Sequence, residues 1–444
     1  MKSTNLTPKE IVAYLDNYVI GQKEAKKTIA VALRNRYRRM QLSQEMQKDV
    51  TPKNILMIGS TGVGKTEIAR RLATMMNLPF IKVEASKYTE VGFVGRDVES
   101  MIRDLASTSL LLIRESENEK NREKIENYIE NKIIEKLLPP LPNGASEQKQ
   151  IEYEASFIRM QEKLVKGELD HLMIKVMIPN KPNLPEDGLP PQMIQVQESI
   201  VKVLGGMNKK GNEKEVSVKE AKNILENEAS EELLDEEKLK ALALEKVEKG
   251  GIVFLDEIDK IAVPSNSNGR QDPSKEGVQR DLLPIVEGST VHTKLGMVKT
   301  DHILFIAAGA FHTSKPSDLM PELQGRFPLR VELNRLDQET LYRILTEPNN
   351  SLIKQYEALL AVEGVELVFE ESALHAIASY SLEANERTED IGARRLHTVM
   401  EKILEEISFE ADEHKGEKIV INENLVKEKI GSVVEDEDTT RYIL

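Results

Sequence analysis

Gly59-Ser60-Thr61-Gly62-Val63-Gly64-Lys65-Thr66 follows an apolar run at residues 54–59 (NILMIG) and precedes Ile68, Ala69, Leu72, Ala73 and Met76 at helical spacing. The octet fits GxxxxGK[ST], a glycine turn between a buried strand and a helix. Glycines let backbone N–H groups curl around phosphate oxygens with no side chain between, and the helix that follows points its positive end at the same anion. Lys65 places a cation on the β- and γ-phosphates, and Thr66 offers a hydroxyl to magnesium. A ligand-free glycine turn is the simpler reading, but the flanking strand and helix are the context that phosphate binding requires.

Further buried strands read at residues 80–83, 251–255 (GIVFL) and 303–308 (ILFIAA). Strands alternating with helices indicate an α/β sheet. The GIVFL run ends on Asp256-Glu257. A hydrophobic strand closed by two acids is a weak signal alone. Beside the glycine turn it reads as the second half of a nucleotide site, with Asp256 in the magnesium shell and Glu257 polarising the attacking water.

Upstream, Thr7-Pro8-Lys9-Glu10 has the residues of a capped helix start. A second helix carries Ala25, Ile29, Leu33, Tyr37 and Met40, and within it the basic stretch RNRYRR at residues 34–39 reads as a solvated face. Downstream the character changes twice. Residues 109–244 are dense in charge, include the breaker-rich PNKPNLPEDGLPP at 179–191, and show no core-strand run. They read as a mostly helical inserted domain, with Ile125, Ile129, Ile133 and Leu137 on one helix face. Residues 333–444 read as a small α+β domain with short strands near 365–369 and 418–421. A discontinuous core, 1–108 with 245–332, is left to hold the nucleotide.

The formal charge of -14, from 61 Lys and Arg against 75 Asp and Glu, argues against a general nucleic-acid binder. Cysteine is absent, which excludes disulfides, thiolate zinc sites and cysteine nucleophiles. The opening MKSTNLTPKE has no apolar signal core and no run reaches membrane-span length, so a cytoplasmic location without membrane contact is expected. The seven histidines are scattered, and neither HExxH nor GxSxG occurs, so no peptidase motif is visible.

Together these features resemble AAA+ ATPases: a P-loop core of parallel sheet flanked by helices, a long insertion and a helical lid. Asn17-Tyr18-Val19-Ile20-Gly21-Gln22, Gly92-Phe93-Val94-Gly95, Gly277-Val278-Gln279-Arg280-Asp281, Pro321-Glu322-Leu323-Gln324-Gly325-Arg326 and Gly392-Ala393-Arg394-Arg395-Leu396 are similar to the HslU (ClpY) family. The resemblance runs from about residue 7 to Leu444 and is weakest in the insertion. It implies an ATPase that uses ATP and Mg2+, assembles as a homo-hexamer, unfolds substrate proteins and threads them into an HslV-type peptidase. It places Ile20 against adenine and Gly62, Val63, Gly64, Lys65, Thr66 and Glu67 on the phosphates. Arg326 becomes a finger reaching a neighbour's nucleotide, with Glu322 one helical turn before it. Arg394 becomes the sensor that ties the lid to bound nucleotide, and Gly92 to Gly95 the pore loop. Arg441, Tyr442, Ile443 and Leu444 become a peptidase-docking tail. Two positions depart from the family pattern: phenylalanine replaces the usual pore-loop tyrosine at 93, and Ala308 stands where a polar first-sensor residue is common.

Other readings fit less of the chain. A remodelling chaperone or nucleic-acid motor without a peptidase leaves the tail unexplained. A ClpX-like unfoldase would carry a cysteine zinc module and an isoleucine- or leucine-glycine-phenylalanine docking loop, and neither is present. A small-molecule kinase explains the P-loop but neither Arg326 nor Arg394.

Overall fold

The computed structural model describes residues 6–50, 53–90, 95–141, 146–178, 212–263 and 273–435. The chain divides into two compact units, Met1–Leu112 with Lys240–Leu444, and Ile113–Leu239. The described strands are, in order, β1 Ile55–Ile58, β2 Phe80–Glu84, β3 Met173–Ile178, β4 Asn212–Ser217, β5 Ile252–Asp256, β6 Thr290–Thr293, β7 Gly296–Lys299, β8 Leu304–Gly309, β9 Leu329–Glu332, β10 Glu366–Phe369 and β11 Lys418–Ile421.

The first unit is built on a five-stranded sheet in the order β2-β5-β8-β1-β9, every pair parallel. Its strands are covered on both faces. Leu56, Val253, Leu255, Phe305 and Ala307 enter one apolar cluster. Their alternating neighbours Ile55, Met57, Ile252, Phe254, Leu304 and Ile306 enter the other. Period-two side chains sealed on both faces explain why these strands read as unbroken apolar runs. Truncating a side chain as enclosed as Phe254 to alanine costs about 3–5 kcal/mol.

The helix Pro8–Asp16 starts on the capping box expected of Thr7 and Glu10. The chain then packs through the helix Lys23–Met40, whose Ala25, Ile29 and Leu33 are buried against the sheet's second cluster. The solvated reading of residues 34–39 needs correction. Arg39 turns inward, its Nη1 2.6 Å from His302 Nδ1 and its Nη2 donating to the Gln47 carbonyl at 2.7 Å. Arg36 has Nε and Nη2 sealed from solvent. The cause is tertiary: the helix ends under the turn before β8, which a helical period cannot reveal.

The lid belongs to the same unit and has its own apolar core. Leu341, Ile377, Leu396, Val399, Ile403 and Val426 meet there. It consists of the helices Gln338–Thr346, Leu352–Glu363, Glu371–Arg387, Arg394–Phe409 and Glu423–Glu435 with the parallel pair β10-β11. The last of these helices was not expected from the sequence.

In the second unit, the helices Arg122–Leu137, Glu147–Val165 and Val218–Leu233 share a core around Ile125, Ile129, Ile133 and Leu225. The expectation of no strand here is overturned, because β3 and β4 form an antiparallel pair. Among the described side chains of this pair Ile174, Val176 and Val216 are the buried core residues, and the two halves of the pattern stand far apart in the chain.

Candidate nucleotide site

Crevices in open α/β sheets form beyond the carboxyl ends of the strands, where the strand order turns. Here the order turns at β1, which has β8 on one side and β9 on the other. A cleft of about 870 Å3 opens at that end, and its walls come from both the sheet and the lid. That volume is ordinary for a small-molecule site.

The P-loop forms its polar end. Gly62 has φ +76° and Gly64 φ +101°, values that favour glycine. At Gly62 space matters as well: a Cβ there would stand 2.0 Å from the Ile391 carbonyl oxygen, and Ala393 N–H donates to the Gly62 carbonyl at 3.2 Å. The lid thus rests on the P-loop backbone. Lys65 opens the helix Lys65–Met76 and donates from Nζ to the Ser60 carbonyl at 2.7 Å and to the Gly59 carbonyl. Burial pulls its ammonium below the ordinary lysine value; Asp256 and Asp259 oppose this and Arg394 adds to it. Thr66 lines the cleft beside it.

Asp256, the last residue of β5, receives Lys82 Nζ at 2.7 Å. Glu257 follows at φ +55°, which swings its side chain out of the strand; Ser86 Oγ donates to its Oε2 at 3.2 Å. Both acids line the cleft. Glu67 also lines it, but its carboxylate is held by Arg70 and Arg71 at 2.7 Å each. Burial pushes the Glu67 carboxyl up, yet the hydrogen bonds and charges of these arginines outweigh it and hold the group low. Its side chain therefore faces its own helix, and only its backbone is free for an anion.

Part of the lining is apolar. Val19 and Ile20 line the cleft together with Ile344 and Leu352 of the lid, and Val19 lies beside Gly64 of the P-loop. Two contacts fix the segment bearing Ile20. Lys26, fully buried, donates to the Val19 carbonyl and to Asp16 Oδ1. Gln22, at φ +52°, exchanges two 2.9 Å hydrogen bonds with the Asn334 backbone. Sequence reasoning missed Lys26, because a lysine at a helix start looks solvated, and gave Gln22 no role beyond its place in the family-like motif at residues 17–22.

Arg394 reaches the cleft from the start of the helix Arg394–Phe409. Its neighbour Arg395 does not; it is buried and donates to Asn385, Thr388 and the Glu389 carbonyl. Two arginines alike in sequence thus divide between site and scaffold. Asp259, His312, Thr313 and His397 also line the cleft and were not anticipated. His397 could have been, since it lies one turn after Arg394; His312 carried no signal.

Glu322 and Arg326 lie outside the cleft of their own chain. Both are on the short helix Pro321–Arg326, but Arg326 pairs with Glu287 at 2.6 Å rather than with Glu322. Ala308 is buried within β8, so the strand supplies no polar side chain at that position. Of the pore-loop residues, Gly92, Phe93 and Val94 lie outside the described residues. Gly95 is described, and Thr89 N–H donates to the Arg96 carbonyl at 3.2 Å across the loop's base. Arg441, Tyr442, Ile443 and Leu444 also lie outside the described residues. Among the described residues no helix is long and apolar enough to cross a membrane.

Residues 55–161 match the ATPase family associated with various cellular activities (AAA), and residues 160–330 match the AAA domain (Cdc48 subfamily). The chain is 63% identical over 440 residues to an ATP-dependent protease ATPase subunit HslU of Campylobacter jejuni subsp. jejuni serotype O:2, covering 99% of this chain and 100% of the relative. It is 59% identical over 444 residues to the subunits of the same name from Helicobacter pylori strain G27 and Helicobacter acinonychis strain Sheeba, covering both chains completely. The chain belongs to the HslU family of AAA ATPases. It is a nucleotide-binding ATPase, and its α/β core with central parallel sheet is that of the family.

Proposed function

We propose that this chain is the ATP-driven unfoldase of a two-component protease: a homo-hexameric cytoplasmic ring that unfolds proteins and threads them into an HslV-type peptidase. The observation that carries it is one cleft walled by the P-loop, Asp256-Glu257 and the lid's Arg394. Such a site lets nucleotide bridge core and lid, so that hydrolysis changes how the two are held together.

Within the cleft the residues divide the work. Val19 and Ile20 pack the base against the lid. The P-loop backbone and Lys65 hold the phosphates, and their negative charge reverses the cost that burial imposes on the Lys65 ammonium. Thr66 and Asp256 offer a hydroxyl and a carboxylate, hard oxygen donors that suit magnesium held mainly by phosphate and water. A magnesium ion held by Thr66 and Asp256 would supply positive charge beside the phosphates. Glu257, steadied by Ser86, takes the proton of the attacking water. Arg394 reads the phosphates from the lid. Arg326, outside its own cleft and half exposed, is available to a neighbouring subunit's cleft, with Glu322 beside it.

Phe93 grips the polypeptide in the pore by dispersion, and the tail Arg441 to Leu444 docks the peptidase. The test is an ATPase and protein-degradation assay with and without an HslV-type peptidase. Degradation that requires both the peptidase and ATP is expected; ATPase activity with no degradation under any condition would overturn the reading.

A further inference from the structure

The basic stretch at the end of the helix Lys23–Met40 is not used by the nucleotide cleft, since none of Arg36, Arg39 and His302 lines it. His302 lies just before β8, whereas the cleft receives Gly309 from that strand's last residue. The cluster is therefore about 17–20 Å from the phosphate end, the length of a strand.

Its hydrogen bonding is incomplete in one particular way. Arg36 Nε and Nη2 and Arg39 Nε are sealed from solvent and have no hydrogen-bond partner. Nε and Nη2 form the side edge of a guanidinium, which takes two oxygens of one oxyanion. Among the described residues neither Arg36 nor Arg39 forms an ion pair with a carboxylate. The helix's terminal carbonyls do not consume these groups either. Gln41 N–H serves Arg38, Leu42 N–H serves Arg39, and Gln47 Nε2 reaches the Leu42 carbonyl at 2.8 Å.

The acceptors that do meet Arg39 are neutral: the His302 ring and the Gln47 carbonyl. Arg39 Nη1 donates to His302 Nδ1 at 2.6 Å, which leaves the imidazole proton on Nε2. Burial, then the charge of Arg39, hold His302 below the ordinary imidazole range, against the pull of Asp301. Burial pushes the Arg36 guanidinium down to about 9, and Arg39 adds to this. Arginine does not give up its proton in practice, and burial outweighs the pull of Asp301 on Arg39, so the buried charge calls for a further counter-charge.

We propose that Arg36, Arg39 and His302 form a binding site for a small free oxyanion of the phosphate class, distinct from the nucleotide cleft. The charges of Arg36 and Arg39, the second drawn on by Asp301, attract an oxyanion, and the unpaired N–H groups supply its hydrogen bonds. The chain's net charge of -14 disfavours a polyanion at the same place. Inorganic phosphate, released at every turnover, is the oxyanion in constant supply.

The test uses the full chain saturated with magnesium and a non-hydrolysable ATP analogue, so that every phosphate position in the cleft is filled. Thermal midpoints are compared in chloride and in inorganic phosphate at matched ionic strength. Phosphate should raise the wild-type midpoint saturably, by roughly 2–4 °C. Arg36→Met should melt above the wild type in chloride, because the unpaired charge is gone, and should not respond to phosphate. Arg36→Lys, which keeps the charge but loses the fork, should respond weakly. An Arg36→Met midpoint below that of the wild type in chloride, or a phosphate response equal in both, overturns the site. If Arg36→Met does not fold, calorimetric titration of the analogue-saturated wild type with phosphate decides: saturable one-to-one binding that Arg36→Lys weakens supports the site, and no saturable heat overturns it.

Discussion

Glu257 combines a left-handed backbone, a hydroxyl partner in Ser86 and a place in the cleft wall beside Asp256. Glu257→Gln keeps the shape and removes the base. Nucleotide affinity should stay within about twofold while turnover falls about a hundredfold or more; hydrolysis near the wild-type rate would refute the assignment. Gly62 is a different kind of residue, required for space. Gly62→Ala drives a methyl group into the Ile391 carbonyl at a positive φ, so nucleotide binding should weaken about tenfold as the lid is pushed off the P-loop. Equal dissociation constants for mutant and wild type would show that lid contact does not matter for binding. Lys26 serves the site from behind. Lys26→Met leaves the Val19 carbonyl without its donor, which should destabilise the fold by about 1–3 kcal/mol and loosen the wall at Ile20. Denaturant melts with and without nucleotide check both effects.

The elements that position this site were legible in the sequence where burial was complete. β1, β5 and β8 are sealed on both faces and read as continuous apolar runs; the P-loop between β1 and its helix then followed from glycine spacing alone. β9 and the β6-β7 hairpin escaped because they are short and half polar, with alternating burial in Thr290–Thr293 and only Val298 enclosed in its partner. β3 and β4 escaped because NEKEVS is mostly polar, with Val216 the one core residue among its described side chains. The inward turn of Arg39, the buried Lys26 and the split between Arg394 and Arg395 depend on what each helix end meets in space, and no local pattern records that. The pore loop is the element whose role rests on family likeness. Phe93→Ala should abolish protein degradation and spare folding and most ATPase activity, since the loop's base is held by Thr89 and Arg96. A mutant that melts early would assign Phe93 to the core instead.

At the scale of the whole molecule, the account requires cooperation between chains. Arg326 and Glu322 are absent from their own cleft, so mixed rings of Arg326→Ala and Lys65→Thr subunits should regain part of the ATPase activity that each variant alone lacks. Mixed rings that stay inactive would place Arg326 in its own subunit's chemistry. The tail makes a second demand. If the proposed docking holds, burying each of Ile443 and Leu444 in a partner groove would contribute roughly 1.5–3 kcal/mol before ordering costs, and six tails on the proposed ring would make weak single contacts sufficient. Deleting Arg441 to Leu444 should remove peptidase activation and leave basal ATPase intact. The most direct measurement is degradation of a stably folded substrate by the chain mixed with an HslV-type peptidase and ATP, comparing wild type with Glu257→Gln. The account predicts degradation by the wild type alone, lost when ATP or the peptidase is withheld. Equal degradation by wild type and Glu257→Gln, or none by an active wild-type ATPase that binds the peptidase, would contradict it.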